Sequence, residues 1–169
     1  WEGIARVTDT EKEIRLLKIP EIIPPPPTPL AANEFYPDSI RVNVGIENTP
    51  VDALGLISAE DGRYNQVSSI EGVVDWICVA SLPQGTTRAS LEMVAKSTIQ
   101  VYQRLFLFNY QLRIWQVVLE VWIGRRVQKL IIPIEASYIS PDSKVQVEIS
   151  CRVQREFDHE TDVMRFTII

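Results

Sequence analysis

The segment TRASLEMVAKSTIQVYQRLFLFNYQLRIWQVVLEVWIGRRVQKLIIPIE, residues 87–135, is expected to decide the fold because it is the most apolar part of the chain. Its first half carries side chains at three- and four-residue spacings, which is typical of one buried helix face. These positions are Leu91, Val94, Ala95, Thr98, Tyr102 and Leu105. Thr86 or Thr87 is a suitable N-cap and Asn109 a suitable end. The pattern predicts one long amphipathic helix.

A pair of β-strands is predicted directly after this helix. Residues 115–123 alternate regularly, residues 127–134 return, and Gly124-Arg125 is suited to the turn between them. Val118 and Trp122 lie on the second face of the first strand, so apolar side chains occupy both faces. A single helix covers only one of these faces. We therefore expect the second face to be covered by early strands or by another subunit.

Further strands are predicted on both sides of this segment. Residues 40–46 and 145–153 alternate between apolar and polar side chains, and each run follows a Pro-Asp-Ser turn. Residues 73–82 are almost continuously apolar, as in a central strand, and residues 163–169 form a last strand. The predicted fold class is α+β, mainly β: an antiparallel or mixed, sandwich- or barrel-like sheet of about seven to eight strands with one long helix packed on it.

A proline-rich extended arm is predicted over residues 20–34. Consecutive prolines lack amide donors and have a fixed φ, so Pro24–Pro27 favour a polyproline II segment. The arm is interpreted as a rigid spacer, as a strap on a neighbouring subunit, or as a ligand for an aromatic groove. Residues 1–7 and 14–19 are predicted as strands before it. With this arm, residues 1–169 are expected to form a single domain.

Three other segments are candidates for contacts with partners. Residues 51–69 are interpreted as a long irregular connection, which is often a contact surface. The turn after Ile123 is basic and residues 156–162 are acidic, so these two loops are candidates for complementary patches, with plain solubilising turns as the alternative. The contact candidates are Pro24, Pro25, Pro26, Pro27, Trp122, Arg125, Arg126, Lys129, Asp158, Glu160 and Asp162.

The sequence contains no motif for catalysis, a cofactor or a metal. His159 is the single histidine, and neither a Gly-x-Ser-x-Gly elbow nor a phosphate-binding glycine loop occurs. The acidic loop lacks the ligand spacing of an EF-hand. We therefore predict a protein that is not an enzyme and has no catalytic residues, metal ligands or cofactor. A pair of carboxylates dispersed in sequence remains as an alternative.

Composition excludes several classes of partner. The net charge of -5 is unfavourable for general nucleic-acid binding, and no apolar run is long enough to span a bilayer. Cys78 and Cys151 lie at apolar strand positions and are predicted to be buried, reduced thiols, which favours a reducing compartment. Because the chain starts at Trp1 without a Met, we expect it to be processed or trimmed.

These features favour a non-enzymatic structural subunit of a large assembly that associates with itself through β-ribbons and the proline arm. A helix followed by a long ribbon is loosely similar to small ring-forming tail and connector proteins of tailed phages, an analogy of fold alone. The predicted function is therefore a virion component, such as a connector, tail or capsid-associated protein. Its expected partners are copies of itself and other subunits of the assembly. Its expected location is the virion or a large assembly, and otherwise the cytoplasm. The alternative is a monomeric or dimeric protein-binding accessory module that uses the proline arm and residues 51–69.

Overall fold

The computed structural model describes residues 32–49, 52–58 and 60–169. These ranges contain eleven β-strands, one short α-helix and one 3-10 turn. In chain order they are β1 (Glu34–Phe35), β2 (Ser39–Val44), β3 (Ile46–Glu47), α1 (Ala53–Leu56), β4 (Asn65–Ser68), β5 (Val73–Ser81), β6 (Arg88–Ser97), β7 (Val101–Asn109), β8 (Ile114–Ile123), β9 (Gln128–Glu135), the 3-10 turn Ala136–Tyr138, β10 (Lys144–Arg152) and β11 (Asp158–Ile168). The proline arm up to residue 31 and the two strands predicted before it lie outside the described residues, and the last residue of the predicted arm, Glu34, begins β1.

The strands form two antiparallel sheets. The front sheet has the order β2-β5-β10-β7-β8, and the back sheet has the order β3-β4-β11-β6-β9, with β1 also paired to β11. Alternate side chains of both sheets point inward and form one core, which includes Trp76, Ile149, Leu91 and Phe166. This is the architecture of a β-sandwich, in which the two inner faces interdigitate.

The predicted long helix is wrong, because residues 87–109 form β6 and β7. The burial of β7 alternates strictly, with Val101, Gln103, Leu105, Leu107 and Asn109 inward. Two of these inward residues are polar, so the period of two was hidden in the apolar pattern. Each strand also pairs with two others, β6 with β11 and β9, and β7 with β10 and β8. Such pairing overrides local helix propensity, and the α+β class with one long helix is therefore wrong.

The predicted pairing of the next two strands is also wrong. β8 pairs with β7 in the front sheet, whereas β9 pairs with β6 in the back sheet. The connection at residues 124–127 therefore crosses from one sheet to the other. It lies beside the crossing between β6 and β7, since the Ser97 amide donates to the Gly124 carbonyl at 2.9 Å. The tip of the expected hairpin is in fact a second crossover at the same end of the sandwich.

Several other predictions are confirmed or corrected by the strand bounds. The strands predicted from residues 40, 73 and 145 are present as β2, β5 and β10, and both cysteines are buried and free. The last strand begins at Asp158, so most of the predicted acidic loop is strand. The connection 51–69, predicted to be irregular, contains α1 and β4. No helix in the described ranges has the length and hydropathy needed to cross a membrane.

Candidate binding face of the front sheet

The outer face of the front sheet carries a row of aromatic side chains. Because Gln103, Leu105 and Leu107 point into the core, the residues between them on β7 point outward. Tyr102 lies opposite Trp122 on β8, with the two ring centroids 5.3 Å apart. Phe108 lies opposite Trp115, also at 5.3 Å and nearly edge to face. The Trp122 residue is 54% exposed, so a large apolar surface faces solvent.

A β-bulge brings the two tryptophans to the same face. Trp115 and Trp122 are seven residues apart, and strict alternation would place them on opposite faces. The register of β7 and β8 shifts between Leu105 and Phe106, so that Leu105 pairs with Leu119 and Phe106 with Val117. The extra residue reverses the alternation of β8. The sequence analysis missed this aromatic row because a bulge cannot be located without the partner strand.

A polar groove runs beside the aromatic row across three neighbouring strands. Its volume is about 280 Å³. Its walls come from β5, β7 and β10 and consist of Asp75, Tyr102, Arg104, Phe106, Glu148, Ser150 and Arg152. The groove therefore combines aromatic surface with hydrogen-bond donors and acceptors, which is the usual character of a ligand site.

Two carboxyl groups meet in this groove. Glu148 is hydrogen-bonded to Asp75, and partial burial together with the negative charge of Asp75 raises the pKa of the Glu148 carboxyl to about 6. The Asn43 side-chain amide donates to Asp75 Oδ1 at 2.8 Å and holds that carboxyl in place. Below pH 6 the Glu148 carboxyl is therefore mostly protonated and can donate a hydrogen bond to Asp75.

Arginine side chains supply donors on the same face. Arg104 Nε lies 3.0 Å from Glu120 Oε1, and its guanidinium carbon lies 5.5 Å from the Tyr102 ring centroid. This geometry fixes the Arg104 fork over an aromatic face. Arg152 is exposed and makes no ion pair or side-chain hydrogen bond within the described ranges. Its donors are available to a ligand.

The predicted contact residues are spread over different parts of the molecule. Trp122 lies on the aromatic row, and Arg125 and Arg126 lie at the crossover that follows it. Lys129 belongs to β9 in the back sheet, where its Nζ pairs with Glu92 Oε2 at 2.8 Å. The structure therefore does not bring Lys129 together with the two arginines. The four predicted proline contacts lie outside the described residues.

The acidic contact candidates are already paired within the chain. Asp158 Oδ1 accepts a hydrogen bond from the Ser68 hydroxyl at 2.6 Å, and Glu160 pairs with Lys96 Nζ at 3.0 Å. Asp162 is buried at the bulge of β11 and accepts from the Gly62 amide at 3.2 Å. These carboxylates thus stabilise the back sheet and its loops. Their predicted role as partner contacts stays a prediction.

His159 lies in the core between the sheets and not in an exposed acidic turn. Its Nε2 donates to Gln103 Oε1 at 2.8 Å, and complete burial lowers the pKa of the imidazole to about 4. A histidine that is completely buried cannot come within hydrogen-bond distance of an external substrate. Within the described residues, no cluster of three or more histidine, cysteine, aspartate or glutamate side chains is placed to hold a metal ion.

Comparisons with known proteins connect this fold to carbohydrate-binding modules. No protein-family model matches the sequence, and no curated protein is similar to it. Among solved structures, a CBM4 domain superposes with a TM-score of 0.51 at 12% identity, over 81% of this chain and 94% of that domain. A TmCBM61 domain in complex with β-1,4-galactotriose follows at 0.47 and 12% identity, over 78% and 88%. The CBM22-1 xylan-binding domain of Paenibacillus barcinonensis Xyn10C is at 0.48 and 8% identity, over 84% and 89%. At these identities the likeness to the CBM4 domain is a likeness of fold.

The predicted virion subunit, with the protein-binding module as its alternative, is wrong. The long helix on which the phage analogy rested does not exist, and the CBM4 domain that shares the fold is a carbohydrate-binding module. The expected partners, copies of the chain and other assembly subunits, are wrong for the same reason. Of the apolar second face that suggested a neighbouring subunit, Val118 packs against the core and Trp122 is exposed on the aromatic row.

Proposed function

We propose that this chain is a non-catalytic glycan-binding module whose ligand lies along the outer face of the front sheet. The observation that carries the proposal is the aromatic row, Tyr102 with Trp122 and Phe108 with Trp115, exposed beside a polar groove. The fold shared with the CBM4 domain supports it. We define this surface, the aromatic row together with the groove, as the front face.

The chemistry of a sugar ring matches both parts of the front face. A pyranose presents C–H groups on its flat sides, which pack on an aromatic ring through dispersion and weak C–H contacts. Its hydroxyls at the rim both donate and accept hydrogen bonds. A carboxylate such as that of Asp75 accepts hydrogen bonds from two sugar hydroxyls. Guanidinium groups such as those of Arg104 and Arg152 donate two parallel hydrogen bonds to sugar oxygens. Aromatic and charged groups on one open surface are therefore suited to a chain of neutral sugar units.

The size and shape of the groove favour part of a longer chain. Its volume of about 280 Å³ lies at the low end of small-molecule sites, and it is open to solvent. The aromatic row extends the surface along β7 and β8 from Phe108 to Trp122. We infer that an oligosaccharide runs along this row, with one or two of its units in the polar groove.

The geometry of the carboxyl pair favours binding without hydrolysis. Glycoside hydrolases place their two carboxyl groups roughly 5 to 9.5 Å apart, on either side of the scissile bond. Asp75 and Glu148 instead lie on adjacent strands, as diagonal neighbours on one side of the groove, and not on either side of it. The chain's single histidine, His159, is buried in the core and does not reach the face. We expect glycan binding without release of reducing sugar.

A glycan array followed by calorimetry tests the proposal. Wild-type protein is applied to an array of neutral and acidic oligosaccharides, and the affinity for the best ligand is then measured. The Trp122→Ala variant is expected to bind about tenfold more weakly, because an exposed ring loses its stacked sugar. Trp122 is 54% exposed, so the melting temperature should hardly change.

Tyr64 provides the matched aromatic control. It is half-buried beside the back sheet, with Lys96 Nζ 4.1 Å from its ring centroid, and is absent from the front face. Tyr64→Ala should leave the affinity within twofold of wild type. Wild-type protein that binds no glycan on the array, or a Trp122→Ala variant with unchanged affinity, contradicts the proposal.

A further inference from the structure

A second cavity lies where the aromatic row reaches the crossover between the sheets. Its volume is about 490 Å³. It is formed by the β6–β7 turn and the β8–β9 crossover, and its walls include Ile99, Gln100, Trp122, Arg125, Arg126 and Gln128. Trp122 lines this cavity and packs on Tyr102, which lines the groove. The cavity is therefore a continuation of the front face.

The charge of this crossover cavity differs from that of the groove. Two arginines line the cavity, and no acidic residue of the described ranges does. Glu120, two residues before Trp122 on β8, is paired with Arg104 and does not neutralise them. The groove, by contrast, contains the Asp75 and Glu148 carboxyls together with Arg104 and Arg152. A ligand that spans both regions thus meets charges of both signs in the groove and positive charge at the crossover.

The two arginines differ in how they are held. Arg125 Nε donates to the Thr98 carbonyl at 2.8 Å, which fixes this side chain between the two crossings and leaves its terminal nitrogens unused by that bond. Arg126 is exposed and forms no ion pair or side-chain hydrogen bond in the described part of the chain. Guanidinium groups bind planar or tetrahedral oxyanions through paired N–H donors. One arginine is pre-positioned and the other is free to close on an anion.

We propose that the crossover cavity receives an anionic substituent, a carboxylate or a sulfate, carried by a sugar unit of the bound glycan. This inference rests on the proposed glycan binding at the front face. Trp122 packs against the ring that bears the anion, and Arg125 and Arg126 bind its oxygens. In the groove the Asp75 and Glu148 carboxyls accompany Arg104 and Arg152, so no excess of positive charge is present there and a neutral unit fits that region. The ligand class is therefore an acidic glycan with charged and neutral units.

Calorimetry with three oligosaccharides of similar length tests this inference: a neutral galactan oligosaccharide, an oligogalacturonate and a sulfated carrageenan oligosaccharide. Wild-type protein is expected to bind one of the acidic ligands about tenfold more tightly than the neutral one, the size of a charge-assisted hydrogen-bonded pair. The better acidic ligand distinguishes a carboxylate from a sulfate. Added salt should weaken acidic binding and leave neutral binding unchanged.

Arg126→Gln removes the free cation, and Arg88→Gln is the matched control. Arg88 is also exposed, with a side chain 68% accessible, and lies at the other end of β6 from the crossover. Arg126→Gln should lower the affinity for the preferred acidic ligand about tenfold and change neutral binding less than twofold. Arg88→Gln should change neither. Thermal unfolding of each variant checks that the fold is retained.

The outcomes separate this inference from the function on which it rests. Equal affinity of wild-type protein for acidic and neutral ligands overturns the acidic preference and leaves glycan binding standing. An Arg126→Gln variant that keeps the full preference also overturns the assignment of the cavity. If wild-type protein binds none of the three ligands and no glycan on the array, the proposed function fails, and this inference fails with it.

Discussion

The outer faces of the two sheets differ in how their carboxyl groups are paired. On the back face Glu92, only 14% exposed, pairs with Arg165 at 2.6 Å and with Lys129 at 2.8 Å. Arg165 also pairs with Glu34 at 3.5 Å. Four charged side chains therefore form one continuous series of ion pairs: Lys129, Glu92, Arg165 and Glu34. On the front face Trp122 is exposed, Arg152 has no partner within the described residues, and Asp75 faces another carboxyl.

This difference in pairing bears on the stability of the back sheet and on the binding proposed for the front sheet. In a partly buried ion pair each partner offsets the desolvation of the other, so removing one partner destabilises the sheet. Neighbouring carboxyls of like charge destabilise their sheet when both are ionised. Exposed aromatic surface gains further when a ligand covers it. The back face therefore contributes to folding, whereas the front face is the proposed recognition surface, and neutralising a carboxylate should have opposite effects on stability in the two.

The largest effect on stability is expected in the core that joins the two faces. Burial lowers the pKa of His159 to about 4, whereas an unfolded histidine titrates near 6.5. The unfolded chain thus binds more protons between these values, so stability is complete above pH 6.5 and falls as the pH decreases toward 4. The loss should reach about 3 kcal/mol, at about 1.4 kcal/mol for each pKa unit.

Urea unfolding of wild type and His159→Gln from pH 4 to 7.5 measures this loss. The variant should be less stable at pH 7 because the imidazole packing on Gln103 is changed, and its stability should decrease less on acidification. Subtracting the free energy of unfolding of the variant from that of wild type at each pH removes the contributions of the other titratable groups. Parallel pH curves would show that His159 is not the group that destabilises the fold in acid.

The next effect concerns the front face. Tyr102→Ala combined with Trp122→Ala removes the aromatic pair of ring separation 5.3 Å. Affinity for a glycan ligand is expected to fall about 100-fold, equivalent to about 2.7 kcal/mol. Isothermal titration measures the affinity, and circular dichroism checks the strand content. A loss no larger than that of Trp122→Ala alone would mean that Tyr102 does not touch the ligand.

The corresponding change on the back face should affect folding alone. Glu92→Gln leaves Arg165 and Lys129 without their shared carboxylate, and it should destabilise the chain by about 2 kcal/mol at pH 7. Chemical denaturation measures this change, and glycan affinity should remain within twofold of wild type. Reduced affinity with unchanged stability would reverse the roles of the two faces.

The smallest effect is expected for Glu148→Gln, with the opposite sign. The folded pKa of Glu148 is raised to about 6, so ionisation above pH 4.5 costs more in the folded than in the unfolded chain. The variant should therefore be more stable than wild type above pH 6, by a few tenths of a kcal/mol because the group is largely solvated. Thermal unfolding at pH 4 and pH 7.5 measures it. A gain of the same size at pH 4 would exclude the carboxyl repulsion as its cause.

Sequence patterns predicted strands best where the alternation was regular and local. β10 was predicted from the run beginning at Val145, and β5 from its apolar continuity. In β6 and β7 the inward positions include Gln103 and Asn109, so the apolar pattern fitted a helix as well as a strand. Trp122 was selected as a contact from its position on a second apolar face, and its role in binding stays a prediction. The groove was missed because Asp75, Arg104 and Glu148 are far apart in sequence.

By itself the sequence determined which segments extend as strands with regular alternation, and that both cysteines are buried. Both properties follow from hydrophobicity and from residues that are close in sequence, so a single chain segment is enough to predict them. Only the tertiary structure decided that β8 and β9 belong to different sheets and that Trp115 and Trp122 share a face. Strand pairing and the bulge depend on hydrogen bonds to a partner strand, which local sequence does not specify. The candidate binding face exists because of those non-local bonds.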